Sequence, residues 1–168
     1  MSTLTVDTIQ GKTTAGTVAM PSGTTVQFKY DISTTEVSNN TDSYVATSVS
    51  ISFTPKFATS LIFVQWEGHI KKNTSAGGGF GMNLYKDSSA LTDSPSDSST
   101  KPYEFYKDET RMNLRASKSH CEVAGNTTAR TYTCKFKRYD SNTGLVVVNE
   151  NGASGNGQEI LTVMEIKQ

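Results

Sequence analysis

His69 and His120 are the two histidines of the chain and its first candidates for chemistry, because imidazole serves as a base or metal ligand near neutral pH. Neither has a second His or a Cys pair at zinc-ligand spacing. His69 follows Trp66-Glu67-Gly68 at the end of an apolar run and His120 adjoins Cys121, so both read as edge or surface histidines. The carboxylates Asp87, Asp93, Asp97, Asp108 and Glu109 are scattered over polar, turn-rich stretches, and no spacing among them predicts an acid/base pair. Asp93 and Asp97 with their serines lack the Asp-x-Asp-x-Asp-Gly pattern of a calcium loop. Gly77-Gly78-Gly79-Phe80-Gly81 is glycine-rich, but it has no Gly-Lys-Ser/Thr ending and no following helix, so it reads as a hairpin connection. There is no Gly-x-Ser-x-Gly elbow. These absences lead us to expect no catalytic residues, no cofactor and no metal: the chain reads as a structural or binding protein. A carbohydrate-processing enzyme on a β frame would need two carboxylates facing one groove, which no motif announces.

Cys121 and Cys134 stand equidistant from the Thr127–Thr128 bond. A symmetric hairpin turning there would bring them opposite each other for a cross-strand disulfide. The alternative is two reduced, half-buried thiols, the ordinary state in a cytoplasm. Asn39-Asn40-Thr41, Asn73-Thr74-Ser75 and Asn126-Thr127-Thr128 match the glycosylation pattern, but with no signal peptide at the N-terminus they read as accidents of an Asn- and Thr-rich chain.

The elements that would position these residues are strands. Alternation of apolar and polar residues marks Thr24–Tyr30, Tyr44–Phe53, Phe80–Lys86 and Arg130–Tyr139, and Leu145–Val148 and Gln158–Lys167 are β-branched and apolar. Leu61–Trp66 (Leu-Ile-Phe-Val-Gln-Trp) is apolar on both faces, as in a central strand covered twice. Between Pro102 and Val123 two strands are expected, one at Tyr103–Tyr106 and one at Arg111–Ser119, with a helical turn at Lys107–Leu114 as the alternative. Val37–Ser43, Asn73–Gly79 and Lys86–Lys101 read as loops. Regular strands with turn signals and no βαβ alternation predict an all-β fold, an antiparallel β-sandwich of jelly-roll type. Pro21-Ser22-Gly23 separates this head, 23–168, from an N-terminal arm, 1–22. In the arm, Leu4 and Val6 alternate with threonines, and with Ile9 and Val18 they form an apolar set that cannot bury itself. Those four residues are the expected docking contacts to a second molecule.

Lys and Arg number 16, and so do Asp and Glu, so no net field draws nucleic acid or an acidic membrane surface. No apolar run is long enough to span a bilayer. The hydrophobic share is only 35%, which implies a core that is thin or shared between copies.

Three stretches carry a family resemblance. Ser2–Val18, Val49–Val64 with its Thr54-Pro55-Lys56 turn, and Ile160–Ile166 resemble, in order and position, segments of tail-fibre-like and other virion proteins of marine phages, including cyanophages. The resemblance implies a phage particle component with a short N-terminal attachment segment and a β-rich, usually trimeric head. It implies as partners further copies in a homotrimer, other virion proteins held through the arm, and a host-surface glycan or protein, with no nucleic acid and no membrane insertion. It implies location in the virion, after synthesis in the host cytoplasm and release by lysis. A tail-fibre or spike-like appendage is the first expectation. A capsid decoration protein is the alternative, favoured by the short chain. The stretch from about Gly68 to Asn149 carries no resemblance; within it Tyr103, Phe105 and Tyr106 are candidates for stacking on a receptor.

Overall fold

The computed structural model describes residues 21–73, 78–91, 103–107, 111–138, 144–150 and 157–168. The docking residues Leu4, Val6, Ile9 and Val18 and the carboxylates Asp93, Asp97, Asp108 and Glu109 lie outside them. The described residues form strands β1 (Thr25–Ser33), β2 (Val37–Asn39), β3 (Val45–Phe53), β4 (Leu61–Asn73), β5 (Gly78–Lys86), β6 (Ser89–Ala90), β7 (Tyr103–Lys107), β8 (Arg111–Val123), β9 (Arg130–Arg138), β10 (Leu145–Val148) and β11 (Glu159–Ile166). No helix occurs among them, and every pairing is antiparallel.

The strands make two sheets. In the first, β4 is central: β8 pairs with it from Leu61 to Asn73 on one side, and on the other β11 pairs with its first half and β10 with its second. β1 lies beyond β11, and β2 beyond β10. The second sheet runs β3–β9–β5, with β7 and β6 sharing the far side of β5. Counting β1 with β2, β5 with its short hairpin mate β6, and β10 with β11 gives eight successive positions. They pair first with eighth, second with seventh, third with sixth and fourth with fifth. One long antiparallel ribbon is thus rolled into a sandwich, which is the jelly-roll winding the alternation predicted.

The inner faces interdigitate as β-branched and aromatic residues must. Ile62, Val64, Trp66 and Ile70 of β4 and Leu161 and Val163 of β11 meet Val49, Ile51 and Phe53 of β3, Phe80, Met82 and Leu84 of β5, and Tyr132, Cys134 and Phe136 of β9, all buried. Several sequence-based expectations need correction. Val37–Asn39 is a strand rather than the start of a loop, because it continues the edge of the first sheet alongside β10. The Lys107–Leu114 helical turn does not form: Lys107 ends β7, and β8 begins at Arg111 and pairs along the whole of β4. The hairpin centred on Thr127–Thr128 does not form either. β8 pairs with β4 in one sheet while β9 pairs with β3 and β5 in the other, so the ribbon separates the two strands, and Cys121 and Cys134 are free thiols, one exposed and one buried.

Gly68 sits where the core leaves no room for a side chain. A Cβ there would stand 2.3 Å from Trp66 Cζ2 and 3.0 Å from Glu159 Cβ, so the indole lies flat across the glycine. The sheet cannot yield without displacing the largest buried side chain. Gly68→Ala is expected to lower stability by about 1–3 kcal/mol, read as a drop in the calorimetric Tm; an unchanged Tm would show that Trp66 has room to move.

Candidate docking face and the seam beside it

The free edge of β3 is closed by side chains. Glu159 of β11 accepts from Ser48 N at 2.9 Å and from Ser48 Oγ at 2.5 Å. Asp31 of β1 accepts from Ser50 N at 2.9 Å, Lys29 Nζ donates to Ser52 O at 2.9 Å, and Gln27 Nε2 donates to Thr54 O at 2.8 Å. Past the strand, Glu165 accepts from Lys56 N at 2.9 Å and Phe57 N at 2.9 Å, and from Gln27 Nε2 at 2.6 Å. Positions 48, 50, 52 and 54 present their main-chain groups away from β9, and each finds a side-chain partner where a strand would otherwise add. The Thr54-Pro55-Lys56 turn and the closing strand are therefore joined by the Glu165 carboxylate.

Two of these carboxylates lie in the interior. Glu159 is fully buried, and it also accepts from Trp66 Nε1 at 2.6 Å and Asn149 Nδ2 at 3.1 Å. Glu165 is fully buried too. Burial alone would raise its pKa, but the N–H groups of Lys56 and Phe57 and the Gln27 amide outweigh it and hold the carboxyl below its ordinary value.

The seam fixes the polarity of β1. Gln27, Lys29 and Asp31 face inward to reach β3, so the alternate residues Phe28, Tyr30 and Ile32 face out, exposed at 52%, 62% and 44%. The two aromatic rings lie 6.0 Å apart. With Lys29, Asp31 and Ser50–Ser52 they border an open groove of about 480 Å³. Across the sheet they join an apolar surface. Phe28 is opposite Met164, Met164 opposite Phe63, and Phe63 opposite Cys121; Ile166, Leu61 and Val123 form the next row. Of these, Phe28, Cys121 and Val123 are exposed and the others half-buried. Toward the other end the same face turns polar, where Arg115 pairs with Glu67, Lys71 with Glu150, and His69 Nε2 bonds Asn113 Oδ1.

The remaining sequence candidates do not gather at one place. His69 stands on the outer face of β4, and His120 is half-buried in β8 opposite Val64. Asp87 holds the turn after β5 at φ 55°, with its carboxylate accepting from Thr131 N at 2.8 Å. Among the described residues no three of His, Cys, Asp and Glu come together to hold a metal ion. Tyr103, Phe105 and Tyr106 belong to β7, at the opposite side of the sandwich from the seam, with backbone partners Met82, Phe80 and Gly79. Cys134 faces the core, where burial and then the charge of Glu159 push its thiol pKa well up. The outer row of β1 was hidden in the sequence because alternation does not say which face turns inward. The one signal for an outer apolar face was Leu61–Trp66, apolar on both sides.

No known family model and no curated protein matches the sequence. Among solved structures, the EclA C-terminal domain, a sugar-binding protein, superposes with a TM-score of 0.39 at 10% identity over 92% of this chain and 89% of that chain. Dimeric latent PorU from Porphyromonas gingivalis gives a TM-score of 0.40 at 11% identity, over 89% of this chain and 14% of that chain. Both likenesses are too distant to say anything of this chain's ligands.

The sign of the Glu165 shift sets a pH dependence. A carboxyl held low in the folded state stabilises the fold fully above the unfolded value of about 4.3, and that contribution is lost as pH falls through the folded value. Glu165→Gln is expected to cost about 1.5–3 kcal/mol near neutrality, with the gap to wild type narrowing in denaturant titrations below about pH 4. A gap that stays constant down to pH 3 would show that the charge on Glu165 contributes nothing.

Proposed function

We propose that the chain is a non-catalytic structural protein of a phage particle, a tail-fibre or spike-like appendage. The arm, 1–22, anchors it to other virion proteins through Leu4, Val6, Ile9 and Val18, and the β head associates into a homotrimer that meets the host surface. The observation that carries the assembly part is the first sheet: the opening stretch of its central strand, Leu61–Trp66, is apolar on both faces, and among the described residues only the inner one is covered by a second layer. An antiparallel sheet commonly leaves one face polar to solvent, so apolar residues grouped on its outer face suit a further covering layer. The phage part rests on the sequence resemblance. Two of its stretches, Val49–Val64 and Ile160–Ile166, supply much of β3, the start of β4 and nearly all of β11, neighbours joined by the register Met164–Phe63 and by Glu165 on the Thr54-Pro55-Lys56 turn.

Receptor contact falls to the side of the sandwich away from the seam, where β7 places Tyr103, Phe105 and Tyr106 along a sheet edge. Aromatic faces there would stack on a glycan or an apolar side chain of a host protein. The rival assignment is a capsid decoration protein, in which the head would clamp neighbouring capsid subunits and the arm would add as a strand.

Gold labelling of this chain on purified particles, viewed by electron microscopy, tests the reading. Label at the tail or its base is the expected result. Label over the capsid lattice would replace the appendage by the decoration protein, and particles free of the chain would end the virion assignment altogether.

A further inference from the structure

We propose that the outer face of the first sheet is the surface through which copies of this chain pack on one another, so that in a trimer three such faces enclose a shared apolar core. This rests on the assembly reading above and names the surface that performs it. The occupant is a second copy for three reasons. First, the face has the size of a standard protein interface. Four strand positions about 4.8 Å apart, two of them the 13-residue β4 and β8 and two made of β11 with β10 and of β1 with β2, give an outer face of about 800 Å², close to the roughly 800 Å² per partner that a stable interface takes.

Second, it has the anatomy of an interface. The rows Phe28–Met164–Phe63–Cys121 and Ile166–Leu61–Val123 form an apolar end; the next rows, Tyr30–Thr162–Gln65–Ser119 and Ile32–Ile160–Glu67–Ser117, are mixed and lead to the polar His69–Lys71 end. Tyr30 and Val123 at its two flanks are exposed at 62% and 59%, and none of the described strands forms a layer over it. Third, its charges are already answered within the copy, Arg115 by Glu67 and Lys71 by Glu150, and the chain as a whole is neutral. The face therefore selects no charged partner and does not repel its own kind. Sheet-to-sheet contact of this sort interdigitates side chains at about 10 Å spacing, as inside a sandwich.

Cys121 lies within the apolar rows and is a built-in reporter, with buried Cys134 as the control for folding. The experiment uses the full chain. Its mass is measured by light scattering, and the rate of Cys121 alkylation by a maleimide is followed by mass spectrometry. It is repeated with the variant Phe28→Arg/Tyr30→Arg, altered three strands away from the reporter, and with Leu4→Asp/Val6→Asp in the arm. Both β1 side chains are exposed in the single copy, so the face variant should keep its near-UV circular dichroism and an unreactive Cys134. The expected result is an oligomeric wild type and a monomeric face variant, in which Cys121 reacts at least about tenfold faster. An oligomer that survives the face variant, or in which Cys121 reacts at the rate of an open thiol, overturns the proposal. If that oligomer is dissolved by the arm variant instead, assembly stands and only this surface is lost. A monomeric wild type overturns both.

Discussion

Everything in this sandwich is arranged around the way the open edge of β3 is satisfied. An edge strand offers unpaired N–H and C=O groups that either recruit another strand or must be answered in place. Here Glu159, Asp31, Lys29 and Gln27 answer Ser48, Ser50, Ser52 and Thr54 in turn, and Glu165 continues onto Lys56 and Phe57. The partners come from β1 and β11, strands of the opposite sheet, so the same bonds that close the edge also tie the two layers. Burying Glu159 and Glu165 is tolerable only because each carboxylate is met by several N–H or O–H donors.

The consequence for β1 is an inversion. In an ordinary sandwich strand the apolar residues turn inward, but here the inward positions are taken by the polar side chains that reach β3. Phe28, Tyr30 and Ile32 are left on the outside. Phe28 does not stand alone, because its neighbours in β11, β4 and β8 are Met164, Phe63 and Cys121, and with the next row, Ile166, Leu61 and Val123, they make an apolar wall at one end of the sheet. The seam that isolates β3 from foreign strands thus creates, one strand away, a surface suited to whole sheets.

Much of the architecture was legible in the sequence. Period-two alternation located β1, β3, β5 and β9, because a half-buried strand writes its burial directly into residue order. The two-sided apolar run Leu61–Trp66 identified the central strand. The winding was accessible as a class, since many short strands without helices leave few ways to close a core. The docking residues Leu4, Val6, Ile9 and Val18 rest on sequence alone.

Partnership was what local pattern could not supply. Alternation gives the two faces of a strand but not which one turns inward, so the outward set of Phe28, Tyr30 and Ile32 emerged only once Gln27, Lys29 and Asp31 had found β3. The symmetric spacing of Cys121 and Cys134 suggested a hairpin, yet the ribbon pairs each of their strands with an earlier one, because long-range ladders with β4, β3 and β5 bury more than a local turn would. Val37–Asn39 looked like loop for the same reason: three residues have no period, and only β10 makes them a strand. Residue order determined where strands lie and that one of them is apolar on both faces. Tertiary pairing decided which faces meet, which thiols stay apart and which wall the described strands leave uncovered, since those depend on contacts between residues far apart in the chain.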